Sequence, residues 1–350
     1  MDIEAFFSTY LYLLIAPLSF ILFAFLYLKA ARYFNIYDHP VGRSSHINRT
    51  ITGFGIFILF GLAVYCIAFP YQLKSFFIIG LVMLCTISFI DDIVFIKHFI
   101  RLIFQVFALI LMAIELPYAY ITADKWPTII ACVIFGIGVL NAFNFMDGIN
   151  GMLGLNSLVI LMSFSWLNSH SVDLEGKPIE FASPEFIYTL IVGVLTFLFF
   201  NFRTKAKVFA GDVGSIGLAF VIFYLMMNLI FKTGNYAYLL LFSVIGVDAG
   251  LTVIYKLIVR ENIFVPHRDF LFKKLVHVGK EKHLKISAIY AIVQAVISII
   301  VIALPLQKKL SAQLSILFIG VVVLGATYIS VRNKYTKQRI IRIREIEDIE

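Results

Sequence analysis

Apolar stretches of about twenty residues, each long enough to cross the hydrocarbon core of a bilayer as an α-helix, return along the whole chain. Eleven can be read, at 6–28, 53–69, 76–93, 99–117, 127–145, 150–169, 185–202, 213–231, 236–258, 285–304 and 311–331. Their apolar residues run continuously rather than alternating, which argues against a β-barrel. With 61% hydrophobic and 14% charged residues among 350, the chain has too little polar surface for a soluble domain. The expected fold class is all-α: a polytopic membrane protein of ten or eleven transmembrane helices, without internal repeats. One transmembrane domain is expected over 1–331 and a basic tail over 332–350. Cys66, Cys85 and Cys132 all fall inside apolar segments and read as small buried hydrophobes.

Lysine and arginine set the expected orientation. The first apolar segment is preceded by Asp2 and Glu4 and followed by Lys29 and Arg32, the reverse of a cleaved leader. It reads as a retained span with its N-terminus outside. On that reading the inner segments 29–52, 94–101, 203–212, 256–285 and 332–350 hold 23 of the 29 Lys and Arg residues. The C-terminus is then cytoplasmic, and the net charge of +8 needs no nucleic acid to explain it. The tail "RNKYTKQRIIRIREIEDIE" reads as a solvated, lipid-facing helix.

That assignment made no use of the acids, yet Asp91, Asp92, Asp147, Asp212 and Asp248 all fall at its inner face. One acid at a helix end can be a cap. Carboxylates placed near a membrane are costly and are usually paired or functional. Amides and glycines accompany them. "NAFNFMDGINGM" (141–152) sets Asn144 and Asn150 around Asp147, and "FAGDVGSIG" (209–217) sets Asp212 between Gly211 and Gly214 at the start of a span. Glycine lets backbone approach a ligand closely, and the open N–H groups of a helix start suit phosphate oxygens. Carboxylate and amide oxygens are ligands that Mg²⁺ accepts. Around them lie basic loops: "VPHRDFLFKKLVHVGKEKH", with His267, Arg268, Lys273 and Lys274, and the first loop, with Asp38, Arg43, His46 and Arg49. The lysines of the former also suit an amphipathic helix on anionic lipid. An acidic, Mg²⁺-suited cleft ringed by cations points to phosphoryl transfer between a soluble diphosphate and a membrane-embedded acceptor.

The pieces "DHPVGRSSH", "DDIVFIKHFIRLIFQ", "NAFNFMDGINGM", "NFRTKAKVFAGDVGSIGLAF" and "IFVPHRDFL" stand in the order found in another group of proteins. The chain resembles the polyprenyl-phosphate N-acetylhexosamine-1-phosphate transferases. The resemblance implies transfer of a sugar-1-phosphate from a UDP-N-acetylhexosamine to undecaprenyl phosphate with release of UMP. It implies an enzyme of the bacterial cytoplasmic membrane with its active site facing the cytoplasm. Mg²⁺ would be the cofactor, Mn²⁺ a substitute, and a homodimer an assembly to test. By matching position it makes Asp212 the metal-binding aspartate, with Asn144 and Asp147 beside it at the diphosphate. Phe209 would stack on uracil, and Asn150 would help recognise the nucleotide. Asp91, next to Asp92, would deprotonate the lipid phosphate. His267 and Arg268, with His46 on the first loop, would contact the phosphates. Direct attack by the lipid phosphate is favoured over a covalent aspartyl intermediate, because an ionised phosphate is already a nucleophile. Four departures argue against the peptidoglycan substrate: "RTITGFG" in the first loop, the absence of the histidine-rich loop of the peptidoglycan enzymes, Phe270 where relatives carry a second histidine, and Asn150 where the peptidoglycan enzymes carry an acid. The glycan-initiating branch is expected, with phospho-MurNAc-pentapeptide transfer as the alternative. A transporter or a non-catalytic lipid-phosphate binder is the rival from another class. Coupling acids at mid-membrane and internal repeats would mark the former, and neither is evident.

Overall fold

In the computed structural model the chain is described over residues 3–38, 49–70, 72–94, 96–118, 124–173, 176–261, 269–304 and 309–347, with side chains from 9 to 335. It is mostly helical. Twelve α-helices are seen among the described residues: α1 (Ile3–Tyr33), α2 (Phe57–Ala68), α3 (Ser75–Ile93), α4 (His98–Ile114), α5 (Lys125–Met146), α6 (Met152–His170), α7 (Pro184–Asn201), α8 (Gly211–Thr233), α9 (Ser243–Ile258), α10 (Leu271–His277), α11 (His283–Ala303) and α12 (Leu310–Glu347). All eleven apolar segments are helical. Among the described residues, nine helical stretches are long and apolar enough to cross a membrane. The other two, Phe54–Ala68 and His98–Ile114, are shorter. At about 1.5 Å per residue neither reaches the ~30 Å of a hydrocarbon core. The protein is a polytopic helical membrane protein.

The helices are arranged around α8. Its apolar sequence would suit a lipid-facing span, yet an 18-residue stretch of it is wholly buried. α3 and α5 flank it, with α2 and α6 also against it. Phe77 of α3 stacks on Tyr224 at 4.0 Å and on Phe220 at 5.7 Å. Helix association inside a bilayer depends on such packing, since lipid tails are as apolar as the side chains. α1 lies on α7 and α2, and α11 on α6. α12 touches α9 and, over 310–335, exposes most of its side chains, with Phe318, Ile319 and Val323 outward. Arg332, the start of the expected solvated tail, is buried, its guanidinium 4.0 Å above the Tyr255 ring. A 3-10 helix, Tyr236–Phe242, leads into α9. Buried Gln294 of α11 closes that junction, accepting from Val244 N–H at 3.2 Å and donating to the Leu240 carbonyl at 3.1 Å. Cys85 and Cys132 are buried and Cys66 half-buried, all as free thiols.

Two features have no counterpart in the apolar pattern. β1 (Tyr37–Asp38) pairs antiparallel with β2 (Thr50–Ile51), too short to show alternation in sequence. A 3-10 turn at Phe54–Ile56 then packs on the start of α8. A methyl group on Gly55 would lie 2.0 Å from the Gly214 Cα, so only glycine lets these backbones touch.

Candidate active site at the start of the buried helix

The first residues of α8 are fixed before any side chain reaches them. Phe209 N–H donates to the Ile51 carbonyl at 2.7 Å, Phe54 N–H to the Phe209 carbonyl at 3.1 Å, and Gly55 N–H to the Ala210 carbonyl at 2.9 Å. The segment entering α8 therefore runs as an added strand beside β2 and the 3-10 turn. Gly211 turns it into the helix at φ 72°, and a methyl there would strike the Asp92 carboxylate at 2.3 Å.

Asp92, in the last turn of α3, covers the end of α8. Its carboxylate accepts from Asp212 N–H at 2.8 Å and Val213 N–H at 3.3 Å. The amides expected to stay open for phosphate are thus taken by an internal acid, the group that a helix N-terminus favours most.

Asp91 and Asp212 are joined through a residue the sequence motifs did not single out. Arg101, in the first turn of α4, places Nη1 2.6 Å from Asp91 Oδ2 and Nη2 2.6 Å from Asp212 Oδ2. A planar guanidinium can fork in this way and a lysine cannot. The other Asp91 oxygen accepts from Ile96 N–H at 2.7 Å. The other Asp212 oxygen accepts from the Asn144 amide at 2.7 Å, and the same amide reaches Ser215 Oγ at 3.0 Å. Asn144 is therefore first a brace for Asp212.

Asp147 follows the last turn of α5. Burial, and then the nearby Asp212 and Asp38 carboxylates, push its carboxyl up to about 7, while Lys273 and the Gly211 amide act the other way. The cluster therefore holds Asp38, Asp91, Asp92, Asp147 and Asp212 against Arg101 and Lys273. Mutually repelling oxygen donors with too few cations suit a divalent ion. Among the described residues no three Asp, Glu, His or Cys side chains are arranged to enclose one. Asp212 and Asp147, with Asn144 behind them, could hold an ion only with oxygens from a ligand and water completing its shell, the usual Mg²⁺ arrangement.

Other predicted residues take different places. Asn150 gives its amide to the Arg203 carbonyl at 2.7 Å. Neighbouring Gly151 N–H donates to Asn201, whose own amide holds the Val208 carbonyl. Asn150 thus ties the loop that precedes Phe209. Phe209 itself is half-buried, one residue beyond Val208. Asp248 belongs to another arrangement, with Leu271, Phe272 and Tyr290 as partners. Phe270 is buried against Phe145. His46, His267 and Arg268 lie outside the described residues.

Fold and site together define a membrane protein whose most buried helix opens on a braced, carboxylate-rich centre at one end of the bundle. The segment that builds this centre, residues 75–230, matches the model of glycosyl transferase family 4. It contains Asp91, Asp92, Arg101, Asn144, Asp147, Phe209 and Asp212. The chain is similar to a probable undecaprenyl-phosphate N-acetylglucosaminyl 1-phosphate transferase of Bacillus subtilis, 26% identical over 176 residues, which are 48% of this chain and 46% of that one. It is also similar to phospho-N-acetylmuramoyl-pentapeptide-transferases. That of Fervidobacterium nodosum is 30% identical over 38% of this chain and 39% of its own, and that of Leuconostoc citreum 38% identical over 23% of each. The similarity thus spans less than half the length of these relatives.

Proposed function

We propose that the chain transfers a HexNAc-1-phosphate from a UDP-N-acetylhexosamine to undecaprenyl phosphate, releasing UMP, at the cytoplasmic face of a bacterial membrane. The observation that carries this reading is the Asp91–Arg101–Asp212–Asn144 chain at the start of α8, inside the family segment. An oxygen of the lipid phosphate attacks the sugar-bearing phosphorus of the donor. The bond from that phosphorus to the bridging oxygen breaks, and UMP leaves. Bound Mg²⁺, held by Asp212 and Asp147 with Asn144 behind, would neutralise charge on the phosphate oxygens. Phe209 stacks on the uracil ring. His267, Arg268 and His46 contact the phosphates.

Direct attack is the better reading of the geometry. Asp91 has one oxygen on Arg101 and the other on the Ile96 amide. Asp212 is held on both oxygens and Asp92 by two backbone amides. Each of these carboxylates is already engaged by protein donors, whereas the lipid phosphate enters as an anion and is itself the nucleophile.

The sugar is proposed to be GlcNAc or a close relative, feeding a cell-surface polysaccharide of the O-antigen kind. The Bacillus subtilis relative carries that sugar in its name, and the departures in the first loop, at Asn150 and at Phe270 agree. The pentapeptide relatives support the second reading, phospho-MurNAc-pentapeptide transfer. The test is UMP release by purified protein in detergent with undecaprenyl phosphate, Mg²⁺ and a panel of UDP-sugars that includes UDP-MurNAc-pentapeptide. Release that needs lipid and metal and prefers one N-acetylhexosamine is expected. Preference for the pentapeptide donor would select the second reading, and no release from folded protein would refute both.

A further inference from the structure

Asp248 takes no part in the chemistry above, yet it is one of the most deeply buried acids in the chain, at 2% exposure. It sits on α9 and reaches two other helices. Oδ1 accepts from Leu271 N–H at 2.9 Å, and Oδ2 accepts from Phe272 N–H at 3.4 Å and from the Tyr290 hydroxyl of α11 at 2.8 Å. Thr252 Oγ1 adds a 3.4 Å contact and also touches the Tyr328 hydroxyl of α12. The carboxylate therefore fixes where α10 begins, because the first amides of a helix have no partners within it. A serine or asparagine on the chain itself could have capped so short a helix. Here the cap is a charge brought from another helix, and burying a charge is costly.

What the capped helix carries explains the arrangement. One residue after Phe272 comes Lys273. Its ammonium lies 5.3 Å from the Phe270 ring centre and 5.7 Å from that of Phe272, two faces that hold a cation in place. Its stem lies on Gly148, where a methyl would come within 2.6 Å of Cε and 3.3 Å of Nζ. Gly148 is the neighbour of Asp147, and Lys273 is the cation whose charge acts on that acid. A line thus runs from Asp248 through the Leu271 and Phe272 amides to Lys273 and the edge of the acidic centre.

We infer that Asp248 is a positioning residue: it sets α10 so that Lys273 presents its ammonium at the Asp147 side of the site, where it meets phosphate oxygens of the donor. The inference rests on the proposed transfer for the identity of the donor, but its first link, from Asp248 to α10, does not.

The test combines a double-mutant cycle with hydrogen exchange. Lys273→Met raises the KM for UDP-sugar about tenfold, as expected for one lost charge-assisted contact, and Lys273→Arg restores it to within about threefold of wild type by returning the charge. Asp248→Asn gives a similar rise, with kcat and the KM for lipid phosphate little changed. The double variant is no worse than either single one, because both act through the same ammonium. Amides of 269–277 exchange faster in Asp248→Asn while α9 and α11 keep their protection. Should that variant not fold, Tyr290→Phe removes one contact to the same carboxylate and gives the same pattern at smaller amplitude. Multiplicative effects in the double variant, or a KM that rises equally for both substrates, would overturn the inference. So would unchanged exchange at 269–277. If wild type releases no UMP, the transfer reading fails, and the exchange measurement alone still decides whether Asp248 anchors α10.

Discussion

Replacing Arg101 by methionine keeps most of the stem and removes the guanidinium. Two 2.6 Å ionic contacts disappear, to Asp91 and to Asp212. The side chains are 16%, 9% and 28% exposed, so water screens them only in part. Deleting one member of a buried ion pair costs about 3–5 kcal/mol, because its partners stay charged. With Asp212 partly open, the lower end applies, about 3 kcal/mol. Felt at the reacting centre, that is roughly a hundredfold in kcat/KM. Lysine keeps the charge but cannot fork to two carboxylates, so Arg101→Lys loses about one contact and about tenfold. The assay is UMP release, with thermal unfolding in detergent to separate lost fold from lost chemistry. A normally folded methionine variant with a third or more of wild-type kcat/KM would refute the reasoning. Equal losses for lysine and methionine would show that the charge is not what matters.

Three further outcomes follow from the same geometry. Asp212→Asn abolishes turnover while the protein still folds, and full activity of that variant at limiting Mg²⁺ would remove Asp212 from the metal site. Phe209→Ala raises the KM for UDP-sugar about tenfold, as loss of one base–aromatic stack predicts, and leaves the KM for lipid phosphate near wild type; equal effects on both would count against the uracil role. Gly55→Ala forces backbone atoms of Gly214 and Ala210 away from contacts of 2.0–2.7 Å, with a cost of about 2–3 kcal/mol that a lower unfolding temperature would report.

Much of this was legible before the fold. The apolar runs located the helices, and Asp212, Asn144 and Asp147 stood out because polar groups crowd where greasy residues dominate. Arg101 did not stand out, although it lies within a quoted motif. Ten residues and a break between α3 and α4 separate it from Asp91, and only the return of α4 along α3 brings it back. Asp248 read as one of five converging acids, because its depth in a span shows in sequence and its partners do not. Asn150 looked open to a ligand and is instead used by a carbonyl fifty-three residues away, a separation no local pattern encodes. Burial of α8 was equally hidden: a helix apolar all round reads the same whether lipid or protein surrounds it.

On the proposed reading, the placement of Asp92 would make the site depend on added cations. A helix start with open amides binds phosphate unaided, but here Asp92 occupies the Asp212 and Val213 amides. In the proposed reaction an anionic donor and an anionic lipid would then meet in a centre that is itself rich in carboxylates, and a divalent ion would be the means of joining them. Removing the acid should loosen that requirement. Asp92→Ala exposes two amides at the positive end of α8 and deletes one negative charge, so binding of UMP in the presence of EDTA should become detectable, by about 1 kcal/mol or fivefold from the helix terminus alone. Turnover should fall in the same variant, because Asp92 also fixes the backbone on which Asp212 stands. Calorimetric titration of UMP into wild type and variant, with and without Mg²⁺, separates the two effects. If metal-free UMP binding does not rise, Asp92 is not what keeps phosphate from the helix, and the need for a cation must arise from the remaining acids around Asp147.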